Sequence, residues 1–139
     1  EAVVDAAIRR NSARVERVHR AAEIAREKAA AGGLCWLEAG IVRDYVGGTV
    51  VQTGPEDYDG DAPSVLQLEG AEGGHAWLEL DGWIVDPWAY AVGDGWPLVT
   101  RIDSPEGRAR YGDRSRWEIL HIETTEDRGT VVTGTEPRV

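Results

Sequence analysis

The segment that most constrains the fold of this chain consists of two alternating apolar runs joined by Asp81-Gly82. An Asp-Gly dipeptide between such runs is typical of a two-residue β-hairpin turn. With the turn closed there, Leu80 pairs with Trp83. Counting outward along both strands predicts two more cross-strand pairs, which are Trp77 with Asp86 and His75 with Trp88. The sequence therefore predicts an antiparallel hairpin over residues 75–88.

The two faces of this hairpin differ in chemistry because strand side chains alternate between them. We expect one face to be core, since all its residues are apolar: Ala76, Leu78, Leu80, Trp83, Val85 and Pro87. The other face carries His75, Trp77, Glu79, Ile84, Asp86 and Trp88. His75 and Asp86 become diagonal cross-strand neighbours on it. Because an unpaired buried polar group is costly, we expect these two side chains to bond to each other.

Cys35 is the only cysteine of the chain, so it cannot form an intrachain disulfide. It follows Gly32-Gly33, and apolar residues then recur at helical spacing at Leu37, Ile41, Val42 and Tyr45. This pattern predicts that Cys35 lies in the first turn of a helix, where free backbone N–H groups and the helix dipole favour a thiolate. A thiol nucleophile needs a base, and the base needs an orienting carboxylate. His75 and Asp86 are the candidates for these roles.

Four short motifs in this part of the chain resemble the transglutaminase-like superfamily of papain-like Cys-His-Asp enzymes: Gly33-Leu34-Cys35-Trp36, His75-Ala76-Trp77, Gly82-Trp83 and Asp86-Pro87. The resemblance runs from Gly33 to about Trp88. It implies that Cys35 is the nucleophile, that His75 is the general base and acid, and that Asp86 orients the imidazole. It also implies a core with the nucleophile at a helix N-terminus and the other two residues on an antiparallel sheet.

The oxyanion donor is the part of this pattern that the sequence leaves open. Leu34 stands before Cys35, where cross-linking transglutaminases usually carry Gln, and no Trp or Gln occurs anywhere upstream. The Cys35 backbone N–H is one candidate donor. A second donor could come from Gln52, Gln67 or Trp36. For substrate contacts we expect Trp36, beside the nucleophile, and Trp88, with Tyr90 and Trp96 as further walls of a groove.

Composition and charge narrow the class of partner. The net charge of −10 argues against nucleic acid, which needs a positive surface. The apolar runs are too short to span a bilayer, and no secretory leader is visible, so we expect no membrane partner and a cytoplasmic location. The acidic loop 54–63 departs from the calcium-loop pattern. No cofactor is expected, and a Cys/His/Asp metal site is the weaker alternative.

With the flanking segments included, the sequence predicts an α+β fold. In this fold, N-terminal helices pack on an antiparallel sheet of about four to six strands. We interpret residues 1–139 as a single domain, with a helical segment over 1–31, a catalytic core over 33–88 and C-terminal strands over 98–133. Further strands are predicted at 49–53, 65–69, 98–102, 117–122 and 130–133. After Asp86, a Gly- and Pro-bearing loop is predicted to run to Pro97, and residues 103–116 are predicted to be irregular. His19 is expected to face solvent and His121 to be structural.

These observations predict a cysteine-dependent hydrolase or acyl transferase that acts on peptide or glutamine amide bonds through an acyl-thioester. A small peptidase is the first choice, because nothing in so short a chain indicates a dedicated amine-acceptor site. A protein-glutamine deamidase or transglutaminase remains an alternative within the same chemistry. A non-catalytic binding or assembly module that keeps the fold is the alternative from a different class.

Overall fold

The computed structural model describes residues 15–25, 35–53, 65, 74–93, 95–125 and 129–137. Residues 15–25 are helical and are called α1 here. Three further helices follow: α2 (Cys35–Val46), α3 (Pro87–Val92) and α4 (Pro105–Tyr111). A 3₁₀ turn covers Arg114–Arg116. No helix in these ranges is long and apolar enough to cross a membrane.

The strands of the described part form one antiparallel sheet with the spatial order β4-β3-β2-β1-β5-β6. They are β1 (Thr49–Thr53), β2 (His75–Leu80), β3 (Trp83–Val85), β4 (Val99–Arg101), β5 (Glu118–Thr125) and β6 (Gly129–Pro137). The α+β class and the predicted number of strands are thus confirmed. The predicted strands at 49–53, 98–102, 117–122 and 130–133 are confirmed as β1, β4, β5 and β6. Residues 66–69 and the acidic loop 54–63 lie outside the described residues.

The central hairpin has the predicted register over its first three pairs. Leu80 pairs with Trp83, and two further pairs follow outward, Glu79 with Ile84 and Leu78 with Val85. Asp81 and Gly82 both have positive φ, 50° and 85°, as a tight hairpin turn of the mirror-image type requires. The two outermost predicted pairs are wrong, because β3 ends at Val85. Asp86 leaves the strand and becomes the N-cap of α3.

Both faces of the central hairpin are buried, whereas the sequence predicted one core face. The first core cluster joins the hairpin residues Ala76, Leu78, Leu80 and Val85 to α1 and α2. The second lies on the opposite face and joins Trp77 and Ile84 to Ala89, Tyr111 and Trp117. The rings of Trp77 and Trp117 meet edge to face at 4.9 Å. The face that carries His75 is therefore covered by α3 and α4.

The two segments predicted to be irregular contain these covering helices, so that prediction is wrong. Each helix begins with a capping side chain followed by proline at the first helical position, Asp86-Pro87 in α3 and Ser104-Pro105 in α4. The Ser104 hydroxyl accepts a hydrogen bond from the Gly107 N–H at 2.9 Å. A capping residue before proline is a recognised start signal for a helix. The sequence interpretation of 103–116 rested on its polar, Arg- and Gly-rich composition and did not use that signal.

The link between α2 and β1 gives a test of the packing. Gly47 and Gly48 both have positive φ, but a Cβ at Gly48 would lie 2.6 Å from the Glu79 carbonyl oxygen, whereas a Cβ at Gly47 has no atom within 4 Å. We expect Gly47→Ala to cost about 1 kcal/mol from backbone strain alone. Gly48→Ala should cost about 2–4 kcal/mol, because the clash with a strand carbonyl adds to that strain. Urea unfolding of both variants measures the difference, and equal losses would contradict the close approach of this link to β2.

Candidate active site

His75 and Asp86 form a buried hydrogen-bonded pair, as the sequence predicts. His75 is the first residue of β2, and Asp86 directly follows β3. His75 Nε2 lies 2.7 Å from Asp86 Oδ2, and the two side chains are 1% and 0% exposed. The hairpin register brings their backbones together, while the departure of Asp86 from the strand lets its side chain reach the imidazole. With Nε2 bound to the carboxylate, Nδ1 is the ring nitrogen left for chemistry.

The Asp86 carboxylate accepts three hydrogen bonds. Besides the bond from His75, its Oδ2 atom accepts one from the Tyr111 hydroxyl at 2.8 Å. Its Oδ1 atom accepts the N–H of Ala89 at 3.0 Å, which is the cap of α3. The Asp86 backbone N–H donates to the Leu98 carbonyl at 2.9 Å. Such a set of donors suits an ionised carboxylate and compensates its complete burial.

Tyr111 is the residue of this cluster that the sequence analysis missed. It is the last residue of α4, is 3% exposed, and accepts a hydrogen bond from Trp96 Nε1 at 2.9 Å. Burial and the neighbouring Asp86 charge raise the pKa of Tyr111 well above its usual value. The hydroxyl therefore remains a neutral donor to Asp86 over the ordinary pH range. The Ser104-Pro105 start signal predicts the helix, but nothing in the sequence indicates that its last residue contacts Asp86.

Cys35 is the first residue of α2, as predicted, and is half-buried. It is close enough to His75 to help raise the pKa of the imidazole. His75 Nδ1 is buried and has no hydrogen-bond partner at normal bonding distance among the described residues. Because Asp86 occupies Nε2, Nδ1 is the ring nitrogen that remains available to the thiol. Catalytic hydrogen bonds are often long before substrate is bound.

The charge state of His75 follows from two opposing effects. Burial by itself lowers the pKa of His75, but the charge and hydrogen bond of Asp86, with smaller contributions from Cys35, outweigh it and raise the pKa to about 9. The imidazole is therefore protonated at neutral pH. An imidazolium next to a thiol favours the thiolate. The described residues thus hold an imidazolium close to the only thiol of the chain.

The position of α2 along the sheet explains why Cys35 meets His75. Gly48, just after α2, adjoins Glu79 and Leu78 near the end of β2. Since that end of the helix is near the end of the strand, the start of α2 lies near the start of β2. Ala39 and Val42 of α2 are fully buried in the first core cluster and fix the helix there.

The candidate oxyanion donors differ in where the fold puts them. Gln52 pairs with Ala76 across β1 and β2, next to the pair of Thr53 with His75. Directly opposed residues share a face, so Gln52 lies on the face covered by α2, at the end where Cys35 begins the helix. Trp36 packs against the first core cluster. Gln67 is outside the described residues.

The aromatic residues predicted to contact substrate also differ in their surroundings. The Trp88 ring lies 4.9 Å from the His75 ring, and Trp36 is half-buried beside Cys35. Tyr90 is 49% exposed and meets His19 edge to face, so His19 is half-buried rather than solvent-facing. The Trp96 indole N–H donates a hydrogen bond to the Tyr111 hydroxyl, so this side chain is fixed within the fold. The substrate roles of Trp36 and Trp88 stay predictions.

Two further expectations concern His121 and metals. His121 is exposed, and its Nε2 atom lies 3.2 Å from Oε1 of Glu136 on β6. Within the described ranges no group of three His, Cys, Asp or Glu side chains could hold a metal ion.

The raised pKa of His75 predicts how stability changes with pH. The folded chain binds the His75 proton more tightly than the unfolded chain, in which a histidine titrates near 6.5. The stabilisation is therefore complete below pH 6.5 and is lost as pH rises through about 9. We expect this loss to be ~1–3 kcal/mol.

Urea unfolding at several pH values between 6 and 10 measures this loss. His75→Gln should flatten the curve in this window, whereas His121→Gln, a change of the same type at an exposed position, should leave its slope unaltered. A His75→Gln curve parallel to that of the parent chain would contradict the coupling between His75 and Asp86.

Comparisons with known proteins found no matching family model and no significantly similar curated protein or solved structure.

Proposed function

We propose that this chain is a cysteine-dependent hydrolase or acyl transferase with a transglutaminase-like core, most simply a small peptidase. One observation carries the proposal: His75 is bound to Asp86 through Nε2, its Nδ1 has no partner among the described residues, and the only thiol of the chain, at the start of a helix, is close enough to influence its imidazole. Most buried polar side-chain atoms have a hydrogen-bond partner, so an unpartnered ring nitrogen calls for an explanation. The role of Cys35 as nucleophile, of His75 as base and acid, and of Asp86 as orienter follows from this arrangement.

The reaction proceeds in two balanced steps. The Cys35 thiolate attacks an amide carbonyl, and the carbon–nitrogen bond breaks while His75 gives its Nδ1 proton to the leaving amine or ammonia. The neutral imidazole then takes a proton from water, which attacks the thioester, and the carboxylic acid leaves as the thiolate returns. An amine in place of water gives transamidation by the same steps. Asp86 holds Nε2 throughout, so that Nδ1 faces the reacting atoms.

The oxyanion of the tetrahedral intermediate needs donors that are already in position. The Cys35 backbone N–H is one, since the first N–H groups of a helix lack partners within that helix. The register of β1 and β2 favours the half-buried Gln52 amide as the second. It lies on the face that α2 covers, at the end where the nucleophile stands. We include Gln52 in the proposed site for that reason.

The first test measures thiol activation without any knowledge of the substrate. We expect Cys35 to react with iodoacetamide at pH 6 at least about tenfold faster than a free thiol, because the imidazolium keeps the sulphur in its reactive form. His75→Ala should abolish the advantage and Asp86→Asn should reduce it, whereas His121→Ala should leave it intact. Alkylation no faster than that of a free thiol, unchanged in His75→Ala, would refute the activated-thiolate site and favour a non-catalytic binding module.

The second test separates the oxyanion donor from the nucleophile. A small activated ester such as p-nitrophenyl acetate should acylate Cys35 with release of p-nitrophenolate, and mass spectrometry should locate the acetyl group. We expect Gln52→Ala to slow acylation by about 10²-fold, the usual loss for one donor, while iodoacetamide alkylation is unchanged. The neighbouring control is Glu118→Gln, which lies opposite Gln52 across β1 and β5 and leaves the Gln52 amide in place. Equal acylation rates in Gln52→Ala and the parent would exclude Gln52 from the site.

The fate of the acyl group is resolved by products. A peptide library should show chain cleavage if the chain is a peptidase. Conversion of Gln to Glu would instead identify a deamidase, and joining of an amine with loss of ammonia would identify a transglutaminase.

A further inference from the structure

The hydroxyl of Tyr111 bonds to the same oxygen of Asp86 as His75. The Tyr111 oxygen lies 2.8 Å from Oδ2, and His75 Nε2 lies 2.7 Å from it. The other carboxylate oxygen is occupied by the Ala89 N–H. Two donors on one oxygen must use different lone pairs, and each draws electron density away from the other.

The Tyr111 side chain is fixed from several sides. Its ring meets that of Trp77 edge to face at 4.8 Å, and its backbone carbonyl accepts the Trp117 indole N–H at 2.8 Å. Its hydroxyl accepts the Trp96 N–H at 2.9 Å, so its own hydrogen is left for Asp86. These contacts form one hydrogen-bonded chain from Trp96 through Tyr111 and Asp86 to His75.

We propose that Tyr111 is a positioning residue of this site: by sharing Asp86 Oδ2 it directs His75 to one lone pair of that oxygen and limits how tightly the carboxylate holds the imidazolium. Without this limit the imidazolium would keep its proton too firmly to return it to a leaving amine or to become the neutral base that activates water. Tyr111 acts through Asp86 and touches no reacting atom.

Asp86 stays in place when the Tyr111 hydroxyl is removed. It is fully buried, its Oδ1 atom caps α3, and its backbone N–H is bound to Leu98. The main effect of Tyr111→Phe is therefore electrostatic, since the positive end of the hydroxyl dipole no longer opposes the imidazolium. Among the described residues, the charged or titratable groups that influence His75 are Asp86 and Cys35, and those that influence Tyr111 are Asp86 and Arg110.

The His75 titration tests this directly by NMR, because the chain has only three histidines. Tyr111→Phe should raise the midpoint of His75 by about 0.5–1 pH unit, the share of one lost hydrogen bond to a charged group. Tyr45→Phe, on the exposed side of α2, is the matched control and should not move it. A midpoint that is unchanged or lower in Tyr111→Phe would overturn the proposal.

A second variant protects the test against loss of folding. Trp96→Phe keeps an aromatic ring but removes the donor to the Tyr111 hydroxyl, which weakens that hydroxyl as a donor in turn. It should raise the His75 midpoint in the same direction and by less. An unchanged or lowered midpoint in a folded Trp96→Phe chain would also count against the hydrogen-bonded chain.

The consequence for turnover rests on the proposed function and is measured separately. With the p-nitrophenyl ester at neutral pH, Tyr111→Phe should slow deacylation about 3–10-fold, the same factor by which the fraction of neutral imidazole falls. The lost rate should return when the pH is raised by the shift seen in NMR.

The titration repeated with Cys35→Ala needs no thiol chemistry, so it keeps the two proposals apart. If Cys35 proves inert while the Tyr111→Phe shift persists, the proposed function fails and the role of Tyr111 stands. If Cys35 is active and the shift is absent, the proposed function stands and the role of Tyr111 fails.

Discussion

The hydrogen bonds of the Asp86 carboxylate are the interactions on which the rest of the described structure depends. Its Oδ1 atom starts α3, and its Oδ2 atom holds both His75 on β2 and Tyr111 on α4. A carboxylate with 0% exposure is tolerable only when its charge is compensated, and here three donors from three elements do so. The same bonds that make its burial possible therefore tie the hairpin to the two helices that cover it.

The same hydrogen bonds determine the charge of the His75 imidazole and which of its two nitrogens is free. Asp86 takes Nε2 and keeps His75 charged, which leaves Nδ1 available to the nearby thiol of Cys35. The second core cluster also keeps water away from the pair, since Trp77, Tyr111 and Trp117 pack against one another beneath it.

Much of the candidate site could be predicted because its signals are local. The Asp81-Gly82 turn sets the register of the hairpin, and the alternation of strand residues puts His75 and Asp86 on one face. The prediction failed where the chain changes direction. The outward count from the turn assumed that β3 continues to Trp88, but Asp86 and Pro87 begin a helix. Capping residues followed by proline marked both missed helices. The sequence interpretation did not use that signal.

The sequence by itself determined the hairpin register, the start of α2 near Cys35 and the bond between His75 and Asp86, because turn chemistry and side-chain alternation act between residues close along the chain. Only the tertiary structure decided that Cys35 stands beside His75 and that Tyr111 completes the carboxylate. Both contacts depend on how whole helices dock on the sheet. Such docking is determined by the packing of many buried side chains together, among them Ala39, Val42, Trp77 and Trp117. No single residue in the sequence indicates it.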